Sequence, residues 1–374
     1  MTTVTGPMFR DATPAPSRPD SLAGTARSGI PIVAVFPGRY PRALIEAAGA
    51  RAVEIWDPPV PPSHSVEHVQ PFTCSVARRG FDLARTTRTN VRAFLFPHTC
   101  DTLQNLFTIL RDLVADTRHC FLFCAPRSHL SPEARARYLG HAIRELAPGI
   151  EKAVGRDITA SALDAAVRAR RLAEEARRNL YRRRAEGSID CSNAEFYRVV
   201  RQDEFMPPED FVRCAAQFLA SSHPPQKPWK LHAVLSGILP DSGLLEILDR
   251  ERILVVEDDL LSCGRRFPRA EVQPSQDPWT AMSDALLSLP PCSSWSAPLP
   301  DRVAFIRAIA SASRARAVLF HAVKFCETEA FDHPYLTSRL RESGLPTLVL
   351  ESEIRDAAVS SLSTRVQAFV ESLQ

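Results

Sequence analysis

Cysteines are the residues of this sequence with the most distinctive chemistry. Nine occur in 374 residues. They are Cys74, Cys100, Cys120, Cys124, Cys191, Cys214, Cys263, Cys292 and Cys326. No C-x-x-C pair or ferredoxin-type run is present, so a metal site would have to combine cysteines that are distant in the chain. The N-terminus lacks the apolar core of a secretory signal, which predicts a cytoplasmic protein whose thiols stay free or bind metal.

Short apolar runs alternate with helical patterns, which is typical of a parallel α/β sheet. The predicted strands are 31–36, 52–56, 92–96 and 120–124, then 231–235, 253–256, 317–320 and 347–350. We therefore predict two doubly wound, flavodoxin-like lobes with a helical segment between them. The predicted divisions are a disordered tail 1–28, a first lobe 29–130, the helical segment 131–225 and a second lobe 226–374.

Two cysteines follow equivalent strands of the two lobes. Cys100 follows the third strand of the first lobe and Cys326 the third strand of the second, while Cys74 follows an earlier strand. Ligands of such sheets bind beyond the carboxyl ends of the strands, so the three thiols can meet if the lobes face each other. Three thiolates suit a cubane cluster that leaves one iron open. Zinc held by three cysteines and His98 or His321 is the alternative. Each cysteine alone is equally typical of a buried apolar residue.

Other catalytic motifs are absent. The sequence has no P-loop, no G-x-G-x-x-G after the first strand and no G-x-S-x-G elbow. Asp258 and Asp259 follow a predicted strand, where they could bind Mg²⁺ or act as acid/base groups, or instead cap a helix or be solvated. A net charge of +3 indicates no particular class of partner. No apolar run approaches the roughly 20 residues of a membrane helix, so no membrane association is expected.

Several short motifs, in this order, resemble the 2-hydroxyacyl-CoA dehydratase component family, which includes benzoyl-CoA reductase subunits. The resemblance extends from about Ile30 to the C-terminus. Its markers are Pro41–Gly49, Thr73–Ser75, Thr99–Asp101, Gly155–Thr159, Leu235–Gly237, Asp258–Leu260, Lys324–Cys326 and Thr364–Phe369. Each motif is weak alone, and the specificity lies in their order and spacing.

The resemblance implies a [4Fe–4S] cluster held by Cys74, Cys100 and Cys326. It further implies an acyl-CoA substrate, a related second subunit in a heterodimer, and an ATP-dependent activator protein that injects one electron. Dehydratase members use this electron to form a ketyl radical that expels the hydroxyl group of a 2-hydroxyacyl-CoA. Reductase members reduce an aromatic acyl-CoA at low potential. No catalytic residue is assigned. The alternative function is a non-catalytic cluster-binding subunit for electron transfer or assembly, and a third is a zinc-stabilised binding protein.

One position departs from the family pattern. Cys263 stands where a glycine is usual after the Asp258–Leu260 motif, and Gly264 follows it. This cysteine is interpreted as an added ligand, an accidental thiol or the mark of a subgroup, and no family role is transferred to it.

A long helix is predicted in the intervening segment, with Thr159 or Ser161 as its N-cap. Alanines and Leu180 form its apolar face. The opposite face carries Arg168, Arg171, Arg178 and Arg182. This basic face is interpreted as solvated, or as a contact for CoA phosphates or a partner. No nucleic-acid binding is expected, because no aromatic stacking group or groove-reading motif accompanies the charge.

Overall fold

The computed structural model describes residues 29–58, 63–86, 90–114, 118–224, 228–269, 275–355 and 359–373. The predicted tail 1–28 lies outside these residues, as does the predicted division at 225/226. Within the described chain, no helix combines the length and apolar character needed to cross a membrane.

The first lobe is built on a four-stranded parallel sheet of order β2-β1-β3-β4. Its strands are β1 (Ile32–Val35), β2 (Arg51–Glu54), β3 (Val91–Pro97) and β4 (His119–Phe123). Its helices are α1 (Arg42–Ala47), α2 (Ser65–His68), α3 (Ser75–Thr86) and α4 (Asp101–Val114). All four residues of β1 are buried because successive side chains enter different apolar clusters on the two faces of the sheet.

The intervening segment is helical. It contains α5 (Pro132–Val154), α6 (Ala160–Ala185), α7 (Asn193–Val200), a 3₁₀ turn (Arg201–Glu204) and α8 (Pro208–Ala220). The Thr159 side chain accepts the Ala162 N–H at 3.1 Å, so the predicted cap of α6 is formed by this residue. The 26-residue helix α6 contacts α1, α8 and the second-lobe strand Ile253–Leu260, and therefore joins the parts of the molecule.

The second lobe repeats the first, with a parallel sheet of order β6-β5-β7-β8. Its strands are β5 (Leu231–Gly237), β6 (Ile253–Leu260), β7 (Ala317–Val323) and β8 (Thr347–Ser352). Its helices are α9 (Ser242–Arg250), α10 (Pro278–Leu287), α11 (Leu299–Ala312), α12 (Glu327–Ala330), α13 (His333–Glu342) and α14 (Val359–Ser372). The predicted fold class of two parallel α/β lobes with a helical segment is thus confirmed.

The strands of the second lobe continue beyond their predicted ends. His321 lies inside β7, and Asp258 and Asp259 lie inside β6, rather than in loops after the strands. The physical reason is that these polar side chains have buried partners within the fold, so the ladder need not end where the apolar run ends.

Candidate cysteine site at the lobe junction

The three cysteines proposed as ligands share one local geometry. Cys74 immediately precedes α3, Cys100 precedes α4 and Cys326 precedes α12. Each sulfur therefore lies at the first turn of a helix, where backbone N–H groups lack partners within the helix.

These N–H groups lower the pKa of the three thiols, whereas burial raises it. Burial raises the pKa of Cys74 to about 11, while hydrogen bonds from the backbone of Ala77 and Val76 oppose the rise. Burial likewise raises the pKa of Cys100, and backbone hydrogen bonds from the first turn of α4 oppose this rise. Burial raises the pKa of Cys326 well above its ordinary value, and Thr328, with Oγ1 3.5 Å from the sulfur, opposes it. A cation at these sulfurs would favour the thiolate form, which the N–H groups already support.

Cys74 lies within electrostatic range of both other thiols. Negative charge on Cys100 raises the pKa of Cys74, and charge on Cys74 raises the pKa of Cys326. Cys74 and Cys326 are 9% exposed and belong to one apolar cluster formed by both lobes, against which the partly buried Cys100 packs. The fold therefore brings the three residues to the same junction between the lobes.

Polar contacts attach α3 to the second lobe directly behind Cys74. The Ser75 hydroxyl accepts the Ile354 N–H at 3.0 Å, and Arg78 pairs with Glu353 at 2.5 Å. Because Ser75 is adjacent to Cys74, these contacts attach the chain segment that carries this thiol to the second lobe.

A buried ion network positions α12, which follows Cys326 directly. Arg265 donates to Asp259 at 2.6 Å and to Glu329 at 2.7 Å, and Arg302 donates to Asp259 at 3.0 Å. Burial by itself would raise the pKa of Glu329, but Arg265 and Arg302 hold it well below its usual range. The network therefore links the end of β6 to the helix that follows Cys326.

The two aspartates of β6 are structural. Asp259 is fully buried in the network with Arg265. Asp258 is also fully buried and accepts the hydroxyls of Tyr181 at 2.5 Å and Tyr197 at 2.8 Å. The interpretation of this pair as a Mg²⁺ site or an acid/base pair is therefore not supported.

No group of three or more His, Cys, Asp or Glu side chains among the described residues could hold a metal ion. His321 is buried in β7, and its Nε2 lies 2.9 Å from the hydroxyl of Ser352 in β8. Its hydrogen-bond partner is therefore within the second lobe. His98 is partly buried. The zinc alternative therefore finds no support in the described chain.

The remaining cysteines have other surroundings. Cys263 is fully buried in the core of the second lobe, where burial and the Asp258 charge raise its pKa to about 12. Cys292 belongs instead to the apolar cluster of the three candidate ligands. Burial raises its pKa, but Arg39 and Arg265 outweigh this and leave the pKa below its usual value. Cys292 is not singled out by the sequence, because no local motif shows that two distant arginines face it.

Comparison with known proteins places these observations in a family. The chain is 23% identical over 353 residues to one of the benzoyl-CoA reductase subunits of Thauera aromatica, with 92% of this chain and 91% of the relative covered. It is also 23% identical to the beta subunit of lactoyl-CoA dehydratase of Anaerotignum propionicum, with 93% of each chain covered. For the (R)-phenyllactyl-CoA dehydratase beta subunit of Clostridium sporogenes the identity is 22%, again with 93% of each covered. The model of the family "2-hydroxyglutaryl-CoA dehydratase, D-component" matches residues 38–373, and the chain belongs to this family.

Proposed function

We propose that this chain is the iron–sulfur subunit of a cytoplasmic 2-hydroxyacyl-CoA dehydratase-type enzyme. Its reaction would be the one-electron dehydration of a 2-hydroxyacyl-CoA or the low-potential reduction of an aromatic acyl-CoA. Cys74, Cys100 and Cys326 would hold a [4Fe–4S] cluster. The relatives are named as subunits of enzymes acting on benzoyl-CoA, lactoyl-CoA and phenyllactyl-CoA, which supports this class of substrate.

The observation that carries the proposal is the convergence of three helix-start cysteines from two lobes in one apolar cluster. Their donor set fits a cubane: three thiols, each supported by helix N–H groups or a neighbouring hydroxyl. Ligands of a cubane bind different iron atoms, so they need not surround one position as the ligands of a single ion do. When bound, such a cluster supplies an electron of low potential and an open iron that acts as a Lewis acid at the thioester oxygen.

This chain's own residues would hold the ligands and exclude water. The apolar cluster around Cys74 and Cys326 keeps the thiols out of solvent, and the hydrogen bonds to their sulfurs stabilise the thiolates. The network of Arg265, Asp259 and Glu329 fixes α12 from behind.

A partner subunit is part of the proposal. Phe72, Phe325 and Phe331 are 60%, 48% and 80% exposed, and each lies within five residues of Cys74 or Cys326 in the sequence. Aromatic side chains exposed near a buried site are typical of surfaces that another protein covers. We propose a related second subunit as the heterodimer partner, and an ATP-dependent activator as the electron donor.

The test is anaerobic purification of the chain alone and together with a paralogous subunit. The chain should contain about four irons and four sulfides and absorb broadly near ~400 nm, as a [4Fe–4S] protein does. With partner, activator and ATP present, acyl-CoA turnover should appear. A colourless, iron-free chain after anaerobic reconstitution would refute the proposal. Iron without turnover in the complete system would favour the alternative of a non-catalytic cluster-binding electron-transfer or assembly subunit.

A further inference from the structure

A cavity of about 860 Å³ is lined by residues of α6 and α11, together with the end of the segment that follows β6. Its size is within the usual range for small-molecule sites. None of the three candidate cluster ligands lines it. Any role of this cavity must therefore be argued from its own residues.

The wall formed by α11 is apolar. The residues of this helix that line the cavity are Phe305, Ala308, Ile309 and Ala312. Their spacings of three and four residues place them on one face of the helix. Leu172 of α6 lines the same cavity and is 57% exposed. A ligand that covered this surface with hydrocarbon would be stabilised by the removal of apolar area from water.

One arginine of the lining has an unused hydrogen-bond donor. Arg269 donates through Nη1 to both carboxylate oxygens of Glu257, at 2.9 and 2.8 Å, and through Nη2 to the Asp258 carbonyl at 3.1 Å. The side chain as a whole is 23% exposed, but its Nε is buried and has no hydrogen-bond partner among the described residues. A buried N–H group without an acceptor is costly, so this donor indicates that the cavity takes up an acceptor.

Aromatic rings hold the same guanidinium in place. Its central carbon lies 4.7 Å from the ring centroid of Phe267, 5.3 Å from that of Tyr181 and 5.7 Å from that of Phe305. Cations are attracted to the faces of such rings. The rings and the Glu257 carboxylate therefore restrict the guanidinium to an orientation in which Nε stays unpaired within the described chain.

The charges around the cavity balance one another. Three arginines line it, namely Arg178, Arg182 and Arg269. The carboxylates of Glu175 and Glu257 also line it, and the buried Asp258 adjoins Arg269. Burial and the Asp258 charge raise the pKa of Glu257 even beside Arg269, so negative charge is already disfavoured there. An acceptor that binds Nε is therefore favoured if it is neutral.

We propose that this cavity binds a neutral, largely apolar molecule through one carbonyl oxygen. The oxygen accepts the Arg269 Nε–H, and the hydrocarbon part covers Leu172 and the apolar face of α11. Amides, esters and ketones with a fatty or aromatic group make up this class of ligand. The inference does not depend on the proposed cluster, because the cavity contains none of the candidate cluster ligands.

The test is titration calorimetry of the full chain with octanamide, octanoate and acetamide. Octanamide should bind, because it combines a neutral carbonyl with an apolar chain. Octanoate should bind about fivefold or more weakly, because its charge would face the carboxylates of Glu257 and Asp258. Acetamide should bind roughly tenfold or more weakly than octanamide, because it lacks the chain that covers the apolar wall.

Two variants locate the binding. Ala308→Trp should fill the cavity and weaken octanamide binding roughly tenfold or more, because the added ring occupies the place of the ligand chain. The matched control is Ala304→Trp, the same change at another exposed alanine of α11 that does not line the cavity, and it should bind octanamide like the wild type. Arg269→Lys keeps the charge but lacks the Nε–H group and should weaken binding about fivefold. Far-UV circular dichroism checks that each variant is folded.

Four results would overturn the inference: no octanamide binding by the wild type, equal affinity in the two tryptophan variants, octanoate binding as tightly as octanamide, or unchanged affinity in Arg269→Lys. The comparison of octanamide with octanoate needs no variant, so it decides the question even if a variant fails to fold. Because calorimetry needs no iron, these outcomes are separate from the test of the proposed function.

Discussion

At the scale of single residues, the position of a cysteine in the fold decides which chemistry it can perform. Cys74, Cys100 and Cys326 each lie at a helix start, where N–H groups support a thiolate. Cys263 is fully buried in the core of the second lobe, where the carboxylate of Asp258 disfavours the thiolate. The carboxylate of Glu329 acts in the same direction on Cys326, so neighbouring charge does not distinguish the candidate ligands, whereas their shared position before α-helices at one apolar cluster does.

We predict that Cys100→Ser lowers iron content and visible absorption together and leaves the fold intact. Serine is close to cysteine in size, but its hydroxyl keeps its proton and is a poor iron ligand. The measurements are iron analysis and absorption after anaerobic reconstitution, with far-UV circular dichroism for the fold.

The matched control for this variant is Cys214→Ser, on α8, where the thiol is partly buried and lies outside the apolar cluster of the candidate ligands. Cys191 is less suitable, because Arg184 donates to its sulfur at 3.1 Å and to its carbonyl at 2.9 Å. Full iron content in Cys100→Ser, or loss of iron in Cys214→Ser, would contradict the ligand assignment.

At the scale of elements, helix α6 differs most from the sequence prediction, which assigned it an apolar face of alanines and Leu180. Its buried face contains Arg170, Arg177 and Arg184, spaced seven residues apart on one side of the helix. Asp203, in the 3₁₀ turn after α7, accepts from Arg170 at 2.8 Å and from Arg177. Burial opposes ionisation of Asp203, but Arg170, Arg177 and Arg42 lower its pKa far below the ordinary value. Buried ion pairs therefore hold the helix in addition to its apolar contacts.

We predict that Asp203→Asn destabilises the protein by about 3 to 5 kcal/mol, because it leaves buried guanidinium groups without their carboxylate. Since the pKa of Asp203 is depressed on folding, its contribution is present at neutral pH and is lost as the pH falls through the acid range. Urea unfolding at pH 7 measures the first effect, and the same measurement well below the unfolded aspartate pKa of about 3.9 measures the second.

Asp210→Asn is the control for this prediction. Asp210 also pairs with an arginine, Arg213, but its side chain is 42% exposed, and exposed pairs contribute about 0 to 1 kcal/mol. Equal stability losses for the two variants would show that the Asp203 network does not hold α6.

At the scale of the whole molecule, the two lobes share a core. One apolar cluster contains Ile32 and Phe36 of the first lobe together with Ile238 and Leu261 of the second. Across the same junction, Arg266 donates to the Gly38 carbonyl at 2.8 Å. The lobes are therefore expected to unfold together, although each has a complete sheet of its own.

We predict that the wild type unfolds in one calorimetric transition. The Asp57→Ala variant should also unfold in one transition, but at a lower temperature. Asp57, after β2, accepts two hydrogen bonds from Arg201 of the helical segment, at 2.7 and 3.1 Å. Removal of this buried carboxylate should cost about 1 to 3 kcal/mol. Asp112→Ala removes an exposed partner of Arg111 and should change stability by less than about 0.5 kcal/mol. Two separate transitions in the wild type would show that the lobes unfold independently.

Much of the architecture is determined locally and can therefore be predicted from the sequence. Buried parallel strands consist of continuous apolar runs, so the strands are predicted near their observed positions, for example 31–36 against Ile32–Val35. The ends are less accurate. His321 is polar but pairs with Ser352 of the neighbouring strand, so β7 continues through it. When strands are predicted from the sequence, a polar residue marks the end of a strand unless its buried partner is known.

The sequence alone therefore determined the two-lobed parallel fold, the three strand-end cysteines as candidates and, through ordered motifs, the resemblance to a family whose model matches residues 38–373. Only the tertiary structure decided which side chains face one another. It brought Cys74 near both Cys100 and Cys326, buried Asp258 and Asp259, and placed arginines of α6 around a cavity. The physical reason is that strand and helix formation depend on neighbours along the chain. Contacts between cysteines, buried ion pairs and cavities depend on residues that are distant in sequence and become adjacent only after folding.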